Sequence, residues 1–289
     1  MKKTILIFGD GYVSTHLTQA LCDQGWVVYK TGKQAPDHPQ RLSDQVIMIN
    51  FYSPALPALI KASDAILSTV PPQTASGTTG IDPVLEKYCG ILAQETFTWI
   101  GYLSATSVYG DHQGKWVTEK SFCNPSNEKS NNRLLAENQW TQLFTGHAQP
   151  VHIFRLSGIY GPGRNCLESI AGGKDFTIIK KNHCFSRIHV DDICLSLLAS
   201  LAVPTPGEIY NVSDDDPAPL HHVHQYAAHL LDKSALTEIP LAEANLSSQA
   251  LNFFHDHKKV SNKKITATLH LKWHYPHYRV GLEKGCLRP

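Results

Sequence analysis

The first 30 residues constrain the fold more than any other stretch of the chain. Thr4–Phe8 is a short apolar run that stops at Gly9, the signature of a parallel strand buried on both faces. From residue 13 to 24, Val13, Leu17, Ala20 and Leu21 recur at helical spacing, and Gly25 follows, as glycine commonly does where a helix closes. Residues 26–29 return to strand character. Strand, tight turn, helix and strand in so short a span make a βαβ unit. At its first junction stand Gly9, Asp10, Gly11, Tyr12, Val13 and Ser14. The first glycine permits a tight turn, and the second lets the backbone approach a pyrophosphate whose charge then meets the helix N-terminus. The third small position of this motif is Ser14, small enough to keep the turn. A plain strand-to-helix turn would carry the same glycines, but the position favours a dinucleotide site, with Gly9, Gly11, Tyr12 and Val13 as its cofactor contacts.

The second strand selects the cofactor. Proteins that prefer NAD place an acid at its end to hold the ribose 2′-hydroxyl. Here the segment reads Tyr29, Lys30, Thr31, Gly32, Lys33, with no acid and two lysines. Lys30 and Lys33 suit a 2′-phosphate, so NADP is expected, with NAD as the alternative. Read blandly, both are solvated loop charges.

Further along, strands are expected at 45–50, 65–70, 96–104 and 151–156, and helices at 56–62, 83–93 and 128–144. Residues 32–45 read as a loop and 73–80 as a polar loop. The remainder carries short strands at 186–190 and 208–212, helices near 192–201 and 221–231, and a loop-rich tail. Alternating strands and helices predict a Rossmann-type doubly wound parallel sheet. Residues 1–157 form its dinucleotide-binding core. Residues 158–289 form a small C-terminal substrate lobe that also contributes to the core.

Charge and composition narrow the partners. Lys+Arg number 26 and Asp+Glu 25, a net charge of +1, so no basic excess points to nucleic acid or to an anionic membrane. The seven cysteines are scattered, with no Cys-x-x-Cys, which argues against a disulfide framework and a structural zinc. The 16 histidines form no His-x-x-x-His pair beside a glutamate, and no metal is expected. No apolar run reaches the roughly 18 residues of a membrane span. A cytoplasmic protein, monomer or homodimer, with a small-molecule ligand, anionic or neutral, fits these features.

Several segments in order extend the reading. They are residues 9–14, 102–111 (YLSATSVYGD), 133–137 (RLLAE), 155–164 (RLSGIYGPGR), 187–192 (RIHVDD) and 210–212 (YNV). Together they resemble the extended short-chain dehydrogenase/reductase superfamily, its epimerase/dehydratase-like branch, and within it an atypical YeeZ-like group. The resemblance covers nearly the whole chain. Catalytic members use a Tyr-x-x-x-Lys pair, in which lysine and the cofactor ribose lower the tyrosine pKa, and a Ser or Thr that orients the substrate oxygen. Aligned on these segments, Arg133 takes the lysine position, Lys129 the tyrosine position and Ala105 the Ser/Thr position. All three are changed. The resemblance therefore implies an NAD(P)-binding protein without the usual catalytic pair, or alternatively an oxidoreductase or epimerase with a rearranged set. Candidates for that set are Thr106, Ser107, Tyr109 and Lys129, with Tyr109 also readable as a packing residue. By the same resemblance Val70 and Pro71 at the fourth strand end, Asn50 at an adenine-binding position and Arg133 at the ribose are cofactor contacts. Arg164 faces the substrate side or is a surface arginine, and Asp191 or Asp192 caps the following helix.

Overall fold

The computed structural model describes residues 2–73, 80–146, 151–247, 251 and 253–286. In chain order the strands are β1 (Thr4–Phe8), β2 (Val27–Gly32), β3 (Gln40–Arg41), β4 (Val46–Asn50), β5 (Ala65–Ser68), β6 (Trp99–Ala105), β7 (Trp116–Val117), β8 (Val151–Leu156), β9 (Gly158–Tyr160), β10 (Phe176–Ile179), β11 (Arg187–His189), β12 (Ile209–Val212), β13 (Thr237–Pro240) and β14 (Lys259–Val260). The main helices are α1 (Tyr12–Asp23), α2 (Leu56–Lys61), α3 (Pro83–Leu92), α4 (Glu128–Leu143), α5 (Cys166–Ala171), α6 (Val190–Ala202) and α7 (Leu220–Leu230). Eight strands form the central sheet in the order β12-β8-β6-β5-β1-β2-β4-β3. The pairs β4–β2, β2–β1, β1–β5 and β5–β6 are parallel, and β3 runs antiparallel to β4. This is the doubly wound α/β sheet expected from the sequence.

The chain divides into two compact units. Unit 1 comprises Met1–Ala105, Asn127–Arg155 and Cys194–Tyr210. In β1, residues Ile5 to Phe8 are fully buried, because paired strands lie on both sides and helices cover both faces, which is why the run is continuous rather than alternating. Helix α1 turns Val13, Leu17 and Leu21 inward. Helix α3 starts at Asp82, whose Oδ1 accepts from the backbone N–H of Val84 (2.9 Å) and Leu85 (3.2 Å), with Pro83 in the first turn. Phe8, Phe51 and Tyr88 pack ring against ring beneath the sheet.

Unit 2 comprises Thr106–Ser126, Leu156–Ile193 and Asn211–Pro289. It carries three small parallel pairings, β9 with β11, β10 with β13, and β7 with β14. Its apolar centre includes Leu167, Ile170, Val223, Ala227, Tyr278 and Leu282.

Local differences from the sequence expectation have physical causes. Strand β2 runs to Gly32 rather than stopping at Tyr29, because β4 pairs with it as far as Gly32↔Asn50. The expected loop 32–45 contains the edge strand β3. Residues 209–212 join the central sheet beside β8. Strands β7, β10, β13 and β14 hold two to four residues each, too short for a periodicity to register. Asp192 stands in the first turn of α6. It accepts from the backbone N–H of His274 (2.8 Å) and Tyr275 (3.0 Å), fastening the tail of unit 2. The polar loop expected at 73–80 lies, for residues 74–79, outside the described residues.

Two buried histidines in unit 2 make its stability sensitive to acid. Burial holds His183 and His224 down to about 4. His224 shares a hydrogen bond with Thr177 Oγ1 (2.9 Å), and His183 Nε2 lies 3.1 Å from the Asp256 carbonyl. An unfolded histidine takes up its proton near pH 6.5. Between pH 6.5 and 4 the unfolded chain therefore binds more protons, and stability falls as pH falls through that window. Calorimetric Tm should drop from pH 7 to 5, with a shallower drop in His224→Gln; equal slopes in the two proteins would remove this account.

Candidate functional site

The glycine turn is held from two neighbouring strands. Gly9 adopts φ +107°, a conformation that side-chain-bearing residues rarely take, and a Cβ there would collide with Thr69 Oγ1. Its N–H donates to Thr31 Oγ1 (3.0 Å) at the end of β2. Thr69, just past β5, donates through both N–H (3.0 Å) and Oγ1 (2.9 Å) to the Phe8 carbonyl. Ser14, at the third position of the motif, is fully buried and donates its hydroxyl to the Gly9 carbonyl (2.9 Å). The serine thus closes the turn with a bond where glycine would only have left room.

Gly11 differs from Gly9. Its φ is −100°, which any residue tolerates, and a Cβ built on it meets nothing within 4 Å. The fold makes no demand for glycine here. The absent side chain leaves open space beside the N-terminus of α1, which has no side-chain cap and no acid in its first turn. Val13 is buried, and Tyr12 is half-buried with its ring against His16 (centroids 4.7 Å apart). Open space, uncapped N–H donors and the helix dipole fit a pyrophosphate.

A cleft of about 520 Å³ adjoins the turn, with Asp10, Gly32, Lys33, Gln34 and Met48 on its walls. Lys33 is exposed there. Lys30 is not a loop charge. It is a strand residue, 5% exposed, whose ammonium is ion-paired with Asp10. Asn50 uses its amide on the loop beside the cleft. Its Nδ2 donates to the carbonyls of Lys33 (3.1 Å) and Ala35 (2.9 Å), and its Oδ1 accepts from Tyr52 N–H (2.8 Å). It shapes the loop that carries Lys33 rather than reaching into the cleft. Val70 is half-buried and approaches Gly9, and Pro71 is exposed.

On α4, Arg133 is half-buried and donates to the Leu103 carbonyl (2.9 Å) and the Tyr102 hydroxyl (3.4 Å) on β6. Lys129, one helical turn earlier, is exposed. Unit 1 thus holds Gly9, Gly11, Tyr12, Val13, Lys30, Lys33, Asn50, Val70, Pro71, Lys129 and Arg133. Unit 2 holds Thr106, Ser107 and Tyr109. Thr106 and Ser107 are half-buried just after β6, with Thr106 Oγ1 3.4 Å from the Leu156 carbonyl. Tyr109 is fully buried and donates to Asn211 Oδ1 (2.7 Å). That placement makes it a packing residue with no exposed hydroxyl to offer a substrate. Arg164 is exposed on its turn. Among the described residues no three metal-ligating side chains gather, and no helix is long and apolar enough to cross a membrane.

Known proteins resemble this chain along most of its length. Protein YeeZ of Escherichia coli K12 is 28% identical over 229 residues, 76% of this chain and 79% of YeeZ. A conserved protein of unknown function from Silicibacter pomeroyi is 36% identical, with a TM-score of 0.86 over 97% of both chains. The chain belongs to the same family as that Silicibacter pomeroyi protein and is similar to YeeZ. UDP-glucuronic acid 4-epimerase from Bacillus cereus, solved with NAD, shares the fold at 18% identity, with a TM-score of 0.80 over 98% of this chain and 95% of the epimerase. No family model matches the chain.

Three groups in this YeeZ-like chain were not singled out from the sequence. Thr69 and Asp10 emerge only once β1, β2 and β5 are placed side by side. The third is a buried ion pair. Arg155 on β8 donates to Glu137 on α4 through Nε (3.0 and 3.2 Å) and Nη2 (2.7 Å), and Ser104 on β6 donates to the same carboxylate. All three residues are at most 4% exposed. Their one visible signal was the sequence RLLAE and the arginine opening RLSG. Glu137→Ala would leave Arg155 buried without its counter-charge, at a cost of about 3–5 kcal/mol, whereas Glu137→Ala with Arg155→Met should recover much of it. Urea denaturation of the single and double variants measures this; a double variant no more stable than the single one would contradict it.

Proposed function

We propose that unit 1 binds a nicotinamide dinucleotide, NADP in preference to NAD, and that the chain lacks the tyrosine–lysine proton transfer of its catalytic relatives. Gly11 carries the first part. It is a glycine the backbone does not require, keeping space clear at the N-terminus of α1. The Bacillus cereus epimerase of the same fold is solved with NAD, which supports a dinucleotide there. The bound dinucleotide would supply hydride chemistry. The residues of this chain would cradle its phosphates on the turn from Gly9 to Ser14 and place its adenosine half near the cleft beside Lys33. Preference for NADP rests on Lys33 and on the lack of an acid at the end of β2. Lys30 contributes less than the sequence implies, because Asp10 neutralises it. The second part rests on Ala105, Lys129 and Arg133 at the three functional positions. The protein is then a dinucleotide-dependent sensor or scaffold.

Titration of protein fluorescence with NADPH and NADH tests the first part. NADPH is expected to bind more tightly, and Lys33→Ala to lower that affinity about fivefold, the size of one exposed charge contact. Gly11→Val should abolish binding of both cofactors while leaving the denaturation midpoint unchanged, since the added side chain meets only the ligand. Equal or tighter NADH binding would refute the preference, and cofactor binding by Gly11→Val would show that the turn is structural alone.

A second reading, an oxidoreductase or epimerase with a rearranged set, draws on the half-buried hydroxyls of Thr106 and Ser107. Lys129 would have to serve as its base. A lysine acts near neutral pH only when desolvation lowers its pKa, and Lys129 is exposed. NADPH absorbance followed over nucleotide sugars and simple carbonyl compounds at pH 6–9 should show no turnover. Robust turnover that disappears in Lys129→Ala would establish the second reading instead.

A further inference from the structure

Lys30 lies inside a parallel sheet, between β1 and β4, with its side chain 7% exposed. A buried ammonium is costly without an opposite charge. Its counter-charge comes from Asp10, the residue between the two glycines of the turn, whose side chain is 39% exposed. One Asp10 oxygen takes the lysine, and the carboxylate stands on the wall of the cleft shared with Gly32 and Lys33. Gly32, the last residue of β2, occupies the position where NAD-preferring proteins carry their ribose-binding acid, and it has no side chain to offer.

We propose that Asp10, held by Lys30, reads the adenine ribose of the dinucleotide in place of the missing acid at the end of β2, and so limits the preference for NADP. The proposal rests on the dinucleotide reading above. A carboxylate accepts from a free ribose 2′-hydroxyl and repels a 2′-phosphate, which carries about −1.5 to −2 charges at neutral pH. The same carboxylate cancels the positive charge of Lys30 that a 2′-phosphate would otherwise meet. Lys33, exposed on the same cleft, pulls the other way. The two cofactors are therefore discriminated by a balance of three charges, Asp10 against Lys30 and Lys33, rather than by one residue at the strand end. An acid contributed by the glycine turn would act on the ribose from the cleft that it lines together with Gly32.

Calorimetric titration of NADPH and NADH into the whole protein and its variants tests the assignment. Asp10→Asn keeps a hydrogen-bond acceptor for Lys30 but removes the charge. It should tighten NADPH and weaken NADH, raising their affinity ratio about tenfold or more. Asp10→Ser should move the ratio the same way, so a folding defect in one variant does not hide the effect. Lys30→Met strips Asp10 of its partner and should lower the ratio by a similar factor. If both Asp10 variants bind dinucleotide with a ratio within twofold of wild type, the role of Asp10 is wrong while the dinucleotide site stands. If the wild-type protein binds neither cofactor, the dinucleotide reading fails and this inference falls with it.

Discussion

Helix α4 has few apolar residues to bury, and what fixes it is the ion pair between Glu137 and Arg155. Its inward positions are Ser130, Asn132, Ala136, Glu137 and Trp140. An apolar stripe can slide along a sheet with little penalty, whereas a bidentate guanidinium–carboxylate contact holds only at one register. Glu137 meets Arg155 on β8 and Ser104 on β6 at once, and Arg133 meets the Leu103 carbonyl on β6. These directional bonds set where Lys129 and Arg133 stand relative to β6. The helix is thus kept in place by polar contacts rather than by an apolar stripe.

The sheet was legible from the sequence because its strands are long enough and apolar enough to declare themselves. The glycine turn was legible because a strand, two glycines and a helical stripe rarely coincide otherwise. The NADP argument was only half legible. Lys30 and Lys33 look equivalent in sequence, three residues apart after the same strand. Their difference appears only when β2 is seen to continue to Gly32 under pairing from β4, which puts Lys30 inside the sheet and Lys33 outside. The partner of Lys30 is 20 positions away, and no local pattern announces it. The burial of Tyr109 was hidden for a similar reason. Its neighbours in sequence, Val108 and Gly110, do not announce a partner, and its hydroxyl finds Asn211 across 102 positions.

The turn from Gly9 to Ser14 is organised by the protein alone. Thr31, Thr69 and Ser14 supply hydroxyls from three elements, so its backbone is set without help from a ligand. A cradle that need not order itself on binding loses less conformational entropy there. Such a turn also discriminates sharply between the two glycines. Gly9 is required by the backbone, whereas Gly11 is not.

Strand β3 has a consequence for the molecule as a whole. An open parallel sheet ends in strands whose outer N–H and C=O groups are templates for pairing with another chain. On this side β4 is covered along its length. Asn50 N–H donates to the Pro36 carbonyl (2.8 Å), Gln40 and Arg41 pair with Met48 and Ile47, and Leu42 N–H donates to the Val46 carbonyl (2.8 Å). The covering segment contains two prolines, Pro36 and Pro39, which lack donors of their own, and a charged end at Arg41 and Asp44. The loop that also walls the cleft therefore guards this edge against sheet-to-sheet aggregation, and shortening it would expose β4 as an adhesive strand.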